Sequence, residues 1–206
     1  MVVFSLIYIR SGLIMNQVGR GIGAIHREEQ NSWRFRSRFE CCIVGKINQI
    51  SGMWRGSASV MNIREISEDY AVDGQVLPSD MQAIADLGFK FVINNRPDGE
   101  EAGQALEADL RSAAEAAGLS YRFIPMTMPS LTPELVADHN AAIESADGPV
   151  FAFCRSGTRS TILWALTQVC FHGRSIAEVS SAAAAQGYDL AAVAPLLEGY
   201  RTELRG

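Results

Sequence analysis

The strongest chemical signal in this 206-residue chain is seven consecutive residues, Cys154-Arg155-Ser156-Gly157-Thr158-Arg159-Ser160, directly after the apolar run Val150–Phe153. A turn from a strand into a helix aims backbone N–H groups and the positive end of the helix dipole into one concave site. Such a site stabilises an anion. The same field favours the thiolate form of Cys154, which is the nucleophilic form. Gly157 lets the backbone turn tightly and come close to a ligand. Arg159 can offer a planar, two-pronged fork to an oxyanion. Cys154 and Arg159 are therefore the expected catalytic residues. Arg155, Ser156, Gly157, Thr158 and Ser160 are expected to bind the anion, with Arg155 adding positive potential at the mouth and Ser160 donating to the thiolate. Two residues on the turn Arg96-Pro97-Asp98-Gly99 are secondary candidates. Arg96 reads as a second anion contact or a surface ion pair, and Asp98 as a substitute proton donor or a turn former.

The elements that must position this loop alternate between strand and helix from Met61 onward. Ile63–Ile66 and Tyr70–Val72 read as short strands. Pro78 suits the first position of a helix whose apolar face is Met81, Ile84, Ala85 and Leu87, stopped by Gly88. Phe89–Asn94 is a β-rich run with the character of a buried parallel strand. Glu100–Ala117 reads as an alanine-rich helix with acids in its first turn and Gly118 just past its end. Leu119–Ile124 is the next strand, and Thr132-Pro133 opens another helix. Val150–Phe153 is again a buried strand, followed by a helix over about Ser160–Phe171. Ser175 and Glu178 form a capping box for a helix that stops at Gly187. A last helical stretch follows Asp189. This alternation predicts an α/β fold: three layers, α/β/α, with a mainly parallel central sheet. In such sheets ligands bind beyond the carboxyl ends of the strands, where the Cys154 loop lies.

Composition narrows the function classes. Hydrophobic residues are 48% and charged residues 20%, which excludes a fully disordered chain. The four cysteines, Cys41, Cys42, Cys154 and Cys170, are too few for a disulfide scaffold, and no CxxC pair occurs. The three histidines, His26, His139 and His172, form no HxH or HExxH array, so no metal is expected. His139 and His172 read as surface or helix-end residues, and Cys170 as an inert core thiol. No apolar run is long enough to span a bilayer. The net charge is −5, and residues 1–60 are basic while 61–206 are acidic. Only Arg34, Arg36 and Arg38 cluster, so neither nucleic acid nor membrane is an expected partner. Residues 1–60 lack sustained periodicity. They read as a poorly ordered extension, or as a start assigned too early, with the folded unit over 61–206.

At these residues the chain resembles a known family. IREISEDYAVDGQV, LGFKFVINNRPDGE, YRFIPM, LTPE and GPVFAFCRSGTRS are similar to the bacterial phosphatase-like domain that occurs alone or fused to β-lactamase-like hydrolases. The resemblance implies a fold like that of dual-specificity phosphatases, with Cys154 as nucleophile and Arg159 as anion-binding residue. It also implies a persulfide-oxidising β-lactamase-like enzyme as a partner, here in trans.

Three activities remain open. Protein phosphatases use C-x5-R and a proton-donating aspartate on a nearby loop. Here Arg159 comes one residue early, and the loop Pro125-Met126-Thr127-Met128-Pro129-Ser130 holds no carboxylate. Rhodanese-type sulfurtransferases resemble this chain in the loop itself, C-R-x-G-x-R, and pass sulfane sulfur through a cysteine persulfide without a general acid. Sulfur transfer through Cys154 therefore leads. A phosphatase acting on phosphomonoesters or phosphotyrosine through a Cys154 phosphoenzyme is the alternative, and a non-catalytic oxyanion-binding module is the third reading. The expected substrate is a small sulfur-containing or phosphorylated molecule, no cofactor is expected, and thiolate chemistry suits the cytoplasm.

Overall fold

A computed structural model describes residues 61–205. The expected extension over 1–60, with Cys41, Cys42 and His26, lies outside the described residues. Five strands form one sheet: β1 (Arg64–Ser67), β2 (Tyr70–Asp73), β3 (Phe91–Asn94), β4 (Ser120–Phe123) and β5 (Val150–Phe153). Their order is β1-β2-β5-β3-β4. The edge strand β1 runs antiparallel to β2, and every other pair is parallel. The two-residue turn Glu68–Asp69 explains the antiparallel pair, because only a crossover can join parallel neighbours.

Helices cover both faces. On one side lie α1 (Met81–Asp86), entered through a 3-10 turn at Pro78–Asp80, and α2 (Glu107–Ala116). On the other lie α3 (Pro133–Glu144), α4 (Thr158–Cys170), α5 (Ile176–Ala185) and α6 (Ala194–Arg205). The two-residue period of β5 divides its side chains between the faces. Val150 and Ala152 join the core under α3, α4 and α5, with Ile66, Tyr70, Ile93, Leu163 and Leu166. Phe151 and Phe153 join the core under α1 and α2, with Val92, Met81, Ile84 and Leu110. All four residues of β2, β3 and β5 are buried, as parallel strands covered on both faces should be. The helix α4 is buried almost all round and packs against β5, α3, α5 and α6. It is the rigid post on which the Cys154 loop is mounted.

Two expectations are corrected. The helix expected over Glu100–Ala117 begins only at Glu107, and residues 100–106 are loop. Gly103 is in the left-handed region at φ +80°, which breaks the helix before it starts. The carboxylate of Asp98 accepts from Glu107 N at 3.0 Å and supplies the missing cap. His139, expected at the surface or a helix end, is fully buried. It shares hydrogen bonds with the Tyr70 hydroxyl (3.2 Å) and the Thr167 hydroxyl (3.1 Å), which offsets the cost of placing an imidazole in the core. His172 is exposed and pairs with Asn140 at 3.0 Å.

Candidate active site

The register of the sheet decides which residues meet at its carboxyl rim. Asp73 of β2, Phe153 of β5 and Asn94 of β3 stand in one row. Cys154, one residue beyond the central strand, is therefore flanked by the chain leaving β2 at Gly74 and the chain leaving β3 at Asn95. Backbone bonds tie these loops together: Asn95 N donates to Phe153 O at 2.8 Å, and Gln75 N to Arg155 O at 3.4 Å. Met126, in the loop after β4, donates its N–H to Asn95 O at 3.0 Å. Loops after all four parallel strands thus converge around one thiol.

The loop has the turn expected of it. Gly157 is the residue before α4 and lies in the left-handed region, with φ +84°. Its N–H points at Cys154 Sγ, 3.1 Å away. No side chain caps α4, so the first-turn amides of Thr158, Arg159 and Ser160 have no intrahelical acceptor. That is the local geometry that favours an anion. Ser156 and Thr158 are exposed at the rim, their hydroxyls 3.1 Å apart. Ser160 is corrected: its hydroxyl is buried without a hydrogen-bond partner, so the backbone of Gly157, not Ser160, donates to the sulfur.

Three arginines gather at the rim, each held by a glutamate. Arg159 donates both prongs of its fork to Glu100, at 2.7 and 2.8 Å, and Nη1 also donates to Met126 O at 2.9 Å. Arg96 is no surface ion pair, being 2% exposed. It donates to Glu100 (2.9 Å), Glu101 (2.7 Å) and Gln75 (2.8 Å). Arg155 pairs with the other oxygen of Glu101 and is exposed at the mouth. One glutamate thus bridges Arg159 and Arg96, and the next bridges Arg96 and Arg155. The Arg159 hydrogen bonds pull the Glu100 pKa down to about 2; burial opposes them, and Arg96 adds to the lowering. The Glu100 bonds raise the pKa of Arg159; burial opposes this, and the nearby Cys154 adds to the rise. Asp98 is corrected as a site candidate: its carboxylate is spent on the start of α2.

Sequence reasoning missed Glu100, Glu101 and Tyr188. The two glutamates carried a signal, two acids beside a glycine, but it matched a helix start better. Tyr188, just past α5, leans on the loop from the other side and donates to Ser156 O at 3.3 Å. Nothing in its sequence surroundings pointed there. Cys154 itself is fully buried. Among the described residues, no group of three or more His, Cys, Asp or Glu could hold a metal ion, and no helix is long and apolar enough to cross a membrane.

Known proteins are similar to this chain over its described region. The family model of the beta-lactamase hydrolase-like protein, phosphatase-like domain, matches residues 62–171. A beta-lactamase hydrolase-like protein of Agrobacterium fabrum is 36% identical over 138 residues, covering 67% of this chain and 32% of its own length. A Xylella fastidiosa protein of the same description matches equally, with 36% identity over 138 residues, 67% of this chain and 32% of its own length. The chain spans about a third of the length of these curated relatives. A solved structure from Neisseria meningitidis, described as a "putative phosphatase", superposes with a TM-score of 0.61 at 31% identity, covering 68% of this chain and 98% of that one.

Proposed function

Because this chain belongs to the phosphatase-like domain family of the beta-lactamase hydrolase-like proteins, we propose that Cys154 takes sulfane sulfur from a small anionic donor and holds it as a persulfide. The chain is an enzyme of the phosphatase-like class, built on the fold of dual-specificity-like phosphatases. The observation that supports sulfur transfer over ester hydrolysis is the state of the two carboxylates that hold the arginines of the loop. Glu100 is ionised down to a pKa of about 2 and held by two arginines, and Glu101 is held by Arg96 and Arg155. Neither has a proton to give at neutral pH, and the loop after β4 contributes a carbonyl, Met126 O, in place of an acid. Without a proton from these groups, ester cleavage loses about 10²–10⁴-fold; the carboxylate left at the rim is Asp73, whose pKa burial raises and whose oxygens accept from Asn62 N and Gly74 N.

Sulfur transfer has no such requirement. With thiosulfate as donor, the Cys154 thiolate attacks the outer sulfur, the S–S bond breaks, and sulfite leaves with the electron pair. A second thiolate, or cyanide, then attacks the terminal sulfur of the persulfide. The new S–S or S–C bond forms as the old one breaks, and the Cys154 thiolate returns. Gly157 N–H and the first turn of α4 stabilise the charge on the sulfur, while Arg159 and Arg155 hold the oxyanion half of the donor. A persulfide-oxidising β-lactamase-like enzyme in trans is the acceptor we propose, in a reducing compartment such as the cytoplasm.

Phosphatase activity is the second reading, favoured by the description of the Neisseria structure at 31% identity. It confines the chemistry to leaving groups such as aryl oxides that depart without a proton. Intact-protein mass spectrometry after thiosulfate separates the two. Sulfur transfer predicts a gain of one sulfur on Cys154, discharged by cyanide and absent in Cys154→Ser. Vanadate-sensitive turnover of an aryl phosphate with no sulfur adduct would replace it with the phosphatase. Oxyanion binding with neither would reduce the site to a binding module.

A further inference from the structure

The fork of Arg159, which the loop motif assigns to a substrate, is already filled. Both of its prongs end on the two oxygens of Glu100, at 2.7 and 2.8 Å. A carboxylate offers an arginine the same planar pair of oxygens as one face of a tetrahedral oxyanion. We propose that Glu100 is a specificity-determining residue of the Cys154 site: it stands on Arg159 where a substrate oxyanion would bind, so that a donor reaches the sulfur by exchanging with it.

The surroundings fit an exchange. Arg159 keeps a second anchor, since Nη1 also donates to the neutral Met126 carbonyl at 2.9 Å. When Glu100 leaves, the guanidinium remains in place with its charge uncompensated. Glu100 is carried on an exposed segment, Asp98–Gly103, that contains two glycines in the left-handed region, Gly99 at φ +78° and Gly103 at φ +80°. A side chain added at either glycine would meet nothing within 4 Å; what holds the segment to the rim is polar, the bonds of Glu100 to Arg159 and Arg96 and of Glu101 to Arg96 and Arg155, so the exchange must also release Glu100 from Arg96. The base of the segment is tied: Gln104 Nε2 donates to Pro97 O at 2.8 Å, and Asp98 caps α2. The segment can therefore swing while its ends stay fixed. Cys154 is fully buried.

The exchange selects by charge and shape. A displacing group must present at least two oxygens on one face and carry more charge than the single negative charge it replaces. Dianionic thiosulfate or a phosphate monoester meets both conditions; a halide or a neutral persulfide meets neither. The inference rests on the anion-cradle reading above, but not on which group is transferred.

The test uses the full chain and follows alkylation of the Cys154 peptide by mass spectrometry. Iodoacetate, an anion, reports on the free fork, and neutral iodoacetamide reports on access alone. Glu100→Gln should raise the iodoacetate-to-iodoacetamide rate ratio about tenfold, the size expected on losing a hydrogen bond between charged groups. It should lower the thiosulfate concentration that protects Cys154 by a similar factor. Glu101→Gln removes the same charge from the same segment but not from Arg159, and should change the ratio less than about threefold. Glu100→Asp keeps the charge on a shorter arm and should fall between wild type and Glu100→Gln, which keeps the test usable if Glu100→Gln unfolds. An unchanged ratio in both Glu100 variants, or an equal rise in Glu101→Gln, overturns the proposal. A sulfur adduct on Cys154 with an unchanged ratio leaves sulfur transfer standing and removes only Glu100. A shifted ratio without any adduct does the reverse.

Discussion

Gly157 carries two constraints at once. Its φ of +84° costs a residue with a side chain about 1–2 kcal/mol. A Cβ there would also lie 2.0 Å from the Tyr188 hydroxyl and 3.2 Å from the Asp73 carbonyl. Gly157→Ala should therefore destabilise the domain by about 2 kcal/mol or more and turn the N–H away from Cys154. Tyr188→Ala in the same chain should recover the part due to the clash and leave the backbone part. Urea unfolding of the two single variants and the double variant checks this; strictly additive losses would mean that Tyr188 does not press on the loop. The residues of the loop were readable because strand, thiol, glycine and arginine follow one another along the chain. Glu100 lies 59 positions from Arg159, and no local pattern links them.

The segment after β3 shows how a local signal misleads about an element. Glu100-Glu101-Ala102-Gly103-Gln104-Ala105 has helical composition, and acids belong in the first turn of a helix. Yet three arginines converge at the rim, and Glu100 and Glu101 gain more from five charge-assisted contacts than from the helix dipole. The helix start passes to Asp98, whose carboxylate accepts from Glu107 N at 3.0 and 3.3 Å. Asp98→Ala should lower stability by about 1 kcal/mol, read as a shift in the urea midpoint, as for other lost caps. A midpoint equal to wild type would show that α2 needs no cap from this residue. The opposite helix, α4, has the inverse design: Gly157 before it supplies no cap, and its first-turn amides are left for a ligand.

At the scale of the molecule, the core under α3, α4 and α5 encloses a Tyr70–His139–Thr167 chain of hydrogen bonds. Burial lowers the His139 pKa to about 3, against about 6.5 in an unfolded chain. The unfolded chain therefore takes up a proton first as pH falls. The stability that neutral His139 contributes is full above pH 6.5 and is lost as pH falls from about 6.5 toward 3, at a slope of up to about 1.4 kcal/mol per pH unit. Denaturation midpoints measured between pH 7 and 5, above the range where most carboxylates titrate, should fall in the wild type and stay nearly flat in His139→Asn. Equal slopes in the two proteins would show that His139 is charged or exposed in the fold. No pattern marked His139 as buried, because its two partners come from β2 and α4, at separations of 69 and 28 residues.

The alternation of strands and helices, the three-layer class and the Cys154–Arg159 loop are all legible in the order of the residues. Each of these follows from neighbours along the chain: a period of two or 3.6, a cap, a glycine at a turn. The groups that face the loop were set by folding in three dimensions. Strand order sets the chains leaving β2, β3 and β4 around Cys154, and so puts Glu100 on Arg159 and Tyr188 on the loop, because a charge finds its counter-charge through space and not along the chain.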